Sequence, residues 1–129
     1  MKLSKILIKR LKEATKYAYA PYSKVQVGAL LYCSDGKIYT GANIENSSYS
    51  LTMCAERVAL FKGVSEGARD FSLLLLYSPQ YDFIIPCGAC LQVLSEIAPE
   101  ILIATMNKDE EFKFFPLHTL LKKPFKIRS

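Results

Sequence analysis

The sequence is poor in several things. It has no tryptophan and a single histidine, His118. It contains no internal repeat, no low-complexity stretch and no Pro- or Gly/Ser-rich linker, so a repeat architecture is excluded and one domain over residues 1–129 is expected. No apolar run reaches the roughly 18 residues that a membrane span requires. The start, Met1-Lys2-Leu3-Ser4, leads into a segment broken by Lys5, Lys9 and Arg10. A secretory leader needs an unbroken apolar stretch, so none is read here and a cytoplasmic location is expected. In that reducing compartment four cysteines point to metal binding or catalysis before disulfides.

What is present indicates a folded chain. Half of the residues are hydrophobic and 12% are aromatic, which a disordered segment does not show. The net charge is +5. A basic balance raises the case for polyanion partners. The lysines are spread out, however. The densest patches, Lys9-Arg10-Lys12 and Lys122-Lys123-Lys126-Arg128, are not uninterrupted basic runs, so nucleic acid is not the expected partner.

Leu7, Leu11, Ala14 and Ala18 recur at helical spacing and predict an amphipathic helix over 4–19, with Ser4 as N-cap. Ala20-Pro21-Tyr22-Ser23 breaks it. Residues 25–33 and 38–43 read as strands joined by a turn at Ser34-Asp35-Gly36-Lys37, since Asp-Gly favours hairpin geometry. A polar loop over 44–52 precedes a helix over 53–62. The apolar run 71–77 suits a strand covered on both faces. After a loop, helical spacing resumes over 87–97. Strands follow at 101–106 and, more weakly, 111–115, then a short helix at 117–121. Strand-helix-strand-helix-strand in the middle implies two parallel crossovers of right-handed sense. The expected fold is α/β, a three-layer α-β-α domain with a mixed, five-stranded sheet.

Two predicted helices open on cysteine: Cys54-Ala55-Glu56 and Pro86-Cys87-Gly88-Ala89-Cys90. Peptide N–H groups at a helix start stabilise thiolate sulfur. A C-x-x-C turn with a third thiolate from the second helix gives three ligands for one metal. Three ligands leave one tetrahedral position for water, the pattern of a catalytic rather than a structural zinc. Glu56, two residues past Cys54, can reach that water without binding the metal. The order Cys-x-Glu, then Pro-Cys-x-x-Cys, is the signature of zinc deaminases acting on nucleobases, with Cys in place of His as first ligand. A structural zinc would need a fourth ligand, for which Cys33 and His118 remain, although each reads more simply as packing or surface. A metal ion with three thiolates carries a net charge of −1, and Arg57 is the residue placed to offset it.

With these residues in view, the chain resembles the cytidine deaminase family, of the small homotetrameric type. The resemblance rests on Tyr19-Ala20-Pro21-Tyr22-Ser23-Lys24, Val27-Gly28-Ala29, Asn43-Ile44-Glu45-Asn46, Cys54-Ala55-Glu56-Arg57 and Pro86-Cys87-Gly88-Ala89-Cys90. It implies one Zn2+ per subunit and hydrolysis of cytidine and 2′-deoxycytidine to the uridine products with release of ammonia, a step of pyrimidine salvage. It implies that Asn43 and Glu45 bind the ribose hydroxyls, an amide and a carboxylate being suited to a neutral diol rather than to a phosphate. It implies that Ala55 meets the base through its backbone. It implies further that Tyr49 and Phe125 reach into sites shared between subunits of a homotetramer. Val25 stands where the family usually has a Phe packed on the pyrimidine ring, a loss of about 1 kcal/mol of aromatic contact. Ile85 and Leu91 stand where the family often has Ser and Arg. The charge and Val25 motivate a second reading, a deaminase for another cytosine-containing substrate, such as an antibiotic nucleoside or RNA. A third, from another class, is a non-catalytic zinc module that binds nucleic acid or a partner, against which Glu56 and the Asn43–Glu45 loop speak.

Overall fold

The structure, a computed structural model, describes residues 3–127. Arg128 of the carboxy-terminal basic patch and the Met1-Lys2 start lie outside the described residues. Helix α1 spans Lys5–Thr15. Ser4 is its N-cap, its hydroxyl accepting from the Leu7 N–H at 3.3 Å. Strands β1, Gly28–Cys33, and β2, Ile38–Ala42, form a hairpin. Its turn closes with Cys33 N–H to the Lys37 carbonyl and Gly36 N–H to the Cys33 carbonyl. Gly36 sits at φ 92°, where only glycine is unstrained. Then come α2 (Ala55–Ser65), β3 (Phe71–Tyr77), α3 (Gly88–Ile97), β4 (Leu102–Met106), β5 (Phe112–Pro116) and the one-turn α4 (Leu117–Leu120).

The five strands form one mixed sheet in the order β2-β1-β3-β4-β5. β1 is antiparallel to both β2 and β3, so β2 and β3 run the same way with β1 between them. β3 and β4 are parallel neighbours, and β5 is antiparallel to β4. Both β2-α2-β3 and β3-α3-β4 are therefore parallel crossovers, the first stepping over β1. Their helices pack on the same face, so the two crossovers share one hand.

The central strand explains its own apolar run. Leu74 and Leu76 pack with Ala59 and Leu60 of α2 and Leu91 and Leu94 of α3. Leu73, Leu75 and Tyr77 point the other way, toward Leu11 of α1. Alternate residues serve opposite cores, so every position but Ser72 is apolar. Full burial of one such Leu contributes roughly 1.5–3 kcal/mol. The layers are α1, the sheet, then α2 with α3 and α4.

Several boundaries differ from the sequence reading. α1 stops at Thr15 rather than continuing to 19, because Tyr19 turns to pair with the chain after β2. Its N–H donates to the Asn43 carbonyl at 2.9 Å, and its carbonyl accepts from Glu45 N–H at 2.8 Å. β1 begins at Gly28 rather than at 25, because a side chain replaces a strand neighbour there. The Asn43 amide accepts from Val27 N–H at 2.9 Å and donates to the Val25 carbonyl at 2.8 Å. The second helix also starts at Ala55, not Met53, leaving Cys54 as its N-cap.

Candidate metal centre

The strand directions put the starts of α2 and α3 at one end of the sheet. β2 and β3 both finish beside Gly28, where Gly28 pairs with Ala42 and with Tyr77. The chain after each strand returns as a helix whose N-cap is a cysteine, Cys54 for α2 and Cys87 for α3. In open α/β sheets this carboxyl end of the strands is where ligands bind. Ile44 and Met53 exchange both backbone hydrogen bonds at 2.9 Å, which fixes the Asn43–Glu45 segment beside the residue preceding Cys54.

Gly41 lets α2 come this close. A Cβ there would stand 2.5 Å from the Ala55 carbonyl oxygen and 2.6 Å from the Ala59 nitrogen. Both are backbone atoms, so neither can step aside cheaply. The start of α2 thus lies directly on β2.

The three sulfurs meet. Cys54 Sγ lies 3.8 Å from Cys87 Sγ, and Cys87 Sγ lies 3.6 Å from Cys90 Sγ, with all three within 4.8 Å of one another. Thiolates about 2.3 Å from a tetrahedral zinc stand about 3.8 Å apart. The triangle therefore fits zinc, and no other group of three metal-ligating side chains occurs among the described residues. Cys33 is buried at the far end of β1 and His118 is exposed on α4, so neither completes a fourth ligand. Cys90 is buried, Cys54 half-buried and Cys87 exposed, so the triangle opens on the Cys87 side.

Charge in this corner is strongly coupled. The neighbouring Cys90 thiol and the Arg57 guanidinium hold the Cys54 thiol well below its ordinary pKa. Cys90 moves the other way, pushed up by the neighbouring Cys54 sulfur and by burial. Arg57 Nη2 donates to Cys54 Sγ at 3.5 Å, and this bond to sulfur raises its own pKa. Its Nε is buried with no partner. Glu56 is 5% exposed, and burial raises its carboxyl to about 7. Glu56 is the second residue of α2, directly after Ala55 and two along from the N-cap Cys54, so it belongs to the same helix start as that ligand. A carboxyl whose pKa lies near neutrality is suited to moving protons.

The remaining residues singled out from the sequence differ in burial and bonding. Ala55 is fully buried in the first turn of α2. Asn43 is buried and already engaged with Val25 and Val27 through its amide. Glu45 accepts from the N–H groups of Tyr22 and Ser23 at 3.0 and 3.1 Å and from the Ser23 hydroxyl. That hydroxyl, with the two amides, lowers its pKa. Val25 is half-buried in the loop before β1. Tyr49 opens a 3-10 turn, Tyr49–Leu51, and is 75% exposed, its ring edge-on to Tyr22 at 6.2 Å. Tyr22, Ser23, Glu45, Asn46, Tyr49 and Thr52 enclose a cavity of about 420 Å³. Phe125 is 72% exposed near the carboxy-terminal end.

Sequence reasoning missed the residues that tie the rim together. Gln80 accepts from Gln26 N–H at 2.9 Å and donates to its side-chain oxygen at 3.3 Å, joining the loop before β1 to the loop after β3. Thr105, fully buried in β4, donates to the Ile84 carbonyl at 2.5 Å, just before Pro86 and Cys87. No periodicity marks either contact.

Comparison with known proteins agrees with this geometry. Residues 1–106 match the family described as the cytidine and deoxycytidylate deaminase zinc-binding region. The chain belongs to the cytidine deaminase family. It is 53% identical over 90 residues to the cytidine deaminase of Sporosarcina psychrophila, a segment covering 70% of this chain and 66% of that relative. It is 33% identical over 122 residues to the cytidine deaminase of Mycoplasma genitalium, covering 93% of each. The crystal structure of cytidine deaminase from Burkholderia pseudomallei superposes with a TM-score of 0.89 at 38% identity, over 96% of this chain and 100% of that one. The protein is thus a hydrolytic deaminase with a zinc site, and Cys54, Cys87 and Cys90 are the residues positioned to hold the metal. Among the described residues no helix is long and apolar enough to cross a membrane.

Proposed function

We propose that this protein deaminates cytidine and 2′-deoxycytidine, with Glu56 as the proton-transferring residue. The observation that carries this reading is a triangle of three thiols that fits zinc, with the buried Glu56 in the first turn of the helix that Cys54 caps. Zinc, when bound, supplies the activation of a water near neutral pH. Glu56 takes a proton from that water and delivers it to N3 of the ring while the water oxygen bonds to C4. Glu56 then carries the second proton to the exocyclic nitrogen. The C4–N4 bond breaks, and ammonia leaves with the uridine product. Arg57, donating to Cys54, tempers the negative charge of the thiolate set.

Glu45 and Asn43 are the ribose residues in this reading. Glu45 is fixed by three donors from Tyr22 and Ser23, so it is held ready rather than recruited on binding. Asn43 spends its amide oxygen and one N–H on the Val25–Val27 loop, leaving one N–H for a hydroxyl. Ala55 faces the base through its backbone, and Val25 lines the base without an aromatic face. Tyr49 and Phe125 act across subunits of a homotetramer, which gives their exposure a purpose. The protein works in the cytoplasm, in pyrimidine salvage, as a single domain whose four cysteines are unbridged.

A substrate panel with zinc measured on the same sample tests the assignment. Ammonia should appear from cytidine and 2′-deoxycytidine. Preference for cytidine monophosphate, an antibiotic nucleoside or single-stranded RNA would overturn the substrate reading. Full zinc loading with no ammonia from any of them would overturn catalysis itself. Light scattering should give a tetramer mass, and a stable, active monomer would refute the shared site.

A further inference from the structure

The carboxy-terminal tail is held in an unusual way. Residues beyond Leu121 form no helix or strand among those described. Their hydrogen bonds to the rest of the described chain come from one side chain. Gln92 of α3 donates through Nε2 to the Phe125 carbonyl at 2.9 Å and accepts at Oε1 from the Phe125 N–H at 2.9 Å. The amide thus imitates a neighbouring strand, binding both backbone groups of one residue. Packing adds little, because a cavity of about 510 Å³ opens between the tail and Ser95 and Glu96 of α3.

The position of Gln92 gives the clip a direction. Two residues along a helix is a rotation of about 200°, so Gln92 lies on the side of α3 opposite Cys90. Cys90 faces the metal centre of its own chain. The tail is consequently fastened on the far side of α3 from that centre, with Phe125 72% exposed. A residue fastened there is turned from its own centre and left open to solvent.

We infer that Gln92 is a positioning residue for the shared site: it clips the tail to α3 so that Phe125 is presented to a neighbouring subunit. This rests on the reading that Phe125 acts across subunits. With the clip removed, the described residues of the tail keep no hydrogen bond to the rest of the described chain, and the segment samples open states, as weakly bonded chain ends do.

The test compares Gln92→Leu, of similar size but without the paired hydrogen bonds, and Gln92→Ala with Phe125→Ala. Amide exchange in residues 122–127 should accelerate in both Gln92 variants while that of α3 stays unchanged. Zinc content and oligomer mass should match the parent. KM for cytidine should rise about five-fold in each single variant with little change in kcat, the size of a lost aromatic contact. Joining Gln92→Leu to Phe125→Ala should add nothing further. Normal tail exchange in the Gln92 variants, or a parent KM in them alongside a raised KM in Phe125→Ala, would overturn the clip and leave the shared site standing. A parent KM in Phe125→Ala would overturn the shared-site reading and the clip with it.

Discussion

The site is built from two unlike regions. Around the metal triangle the residues are recessed and rigid: Cys90, Ala55 and Glu56 are buried, on helices pressed against the sheet. The aromatic residues proposed to complete the site are exposed and lightly mounted: Tyr49 sits in a one-turn 3-10 helix and Phe125 in the tail. The difference divides the labour. The chemical step needs groups that cannot move, because a displacement of about 1 Å costs heavily in rate. Substrate contacts tolerate looser mounting, which is the part the proposed function gives to Tyr49 and Phe125.

Changes in the recessed region should therefore be severe and changes on the rim mild. Cys87→Ala should have the largest effect. With two thiols left from the triangle, zinc content should fall to background and ammonia release with it. Retention of stoichiometric zinc would show that a fourth residue shares the site.

Gly41→Ala comes next. The added methyl would press on the Ala55 carbonyl and the Ala59 nitrogen. Overpacking of this kind costs about 1–3 kcal/mol, and here it would also displace the start of α2. Urea unfolding should show the loss and a zinc chelator should strip the metal faster. An unchanged midpoint and chelation rate would mean that α2 is less closely seated on β2.

On the rim, Tyr49→Ala should raise KM by about five-fold and leave zinc content alone. A fall in kcat of similar size to that from Cys87→Ala would erase the contrast between the regions.

The smallest effect concerns pH. Glu45 has a carboxyl pKa below the usual range, chiefly through the Ser23 hydroxyl. A lowered folded pKa contributes order that is present above the ordinary carboxylate range and lost as pH falls through the depressed value. Ring signals of Tyr22 and Tyr49 in NMR should therefore report loosening of their loop only at the acid end. Glu45→Gln should show no such acid transition. The same transition in that variant would assign it to another group.

How much of this was legible beforehand follows the same division. Cys54, Glu56, Cys87 and Cys90 announce themselves because their chemistry is local: two short motifs, each at a helix start. The alternating burial of Leu73 to Leu76 is likewise written in the run itself, and with it the three layers. What the chain does not advertise is contact between distant segments. Nothing near Ala18 signals that Tyr19 will leave the helix to pair with Asn43 and Glu45. Nothing near Val25 signals that the Asn43 side chain will stand in for a strand. Gly41 reads as an ordinary strand glycine until α2 is laid against it, and Gln92 as an ordinary helix residue until the tail arrives. These contacts depend on the assembled fold, which no local pattern encodes.

The most direct test of the central claim is Glu56→Gln, measured for zinc content and for ammonia release from cytidine on one preparation. The side chain keeps its shape but cannot carry the proton. Zinc should stay at one per chain while kcat falls by about 10²–10⁴-fold, the usual contribution of a general acid–base. Parent-level turnover with zinc in place would contradict the role given to Glu56, and with it the mechanism.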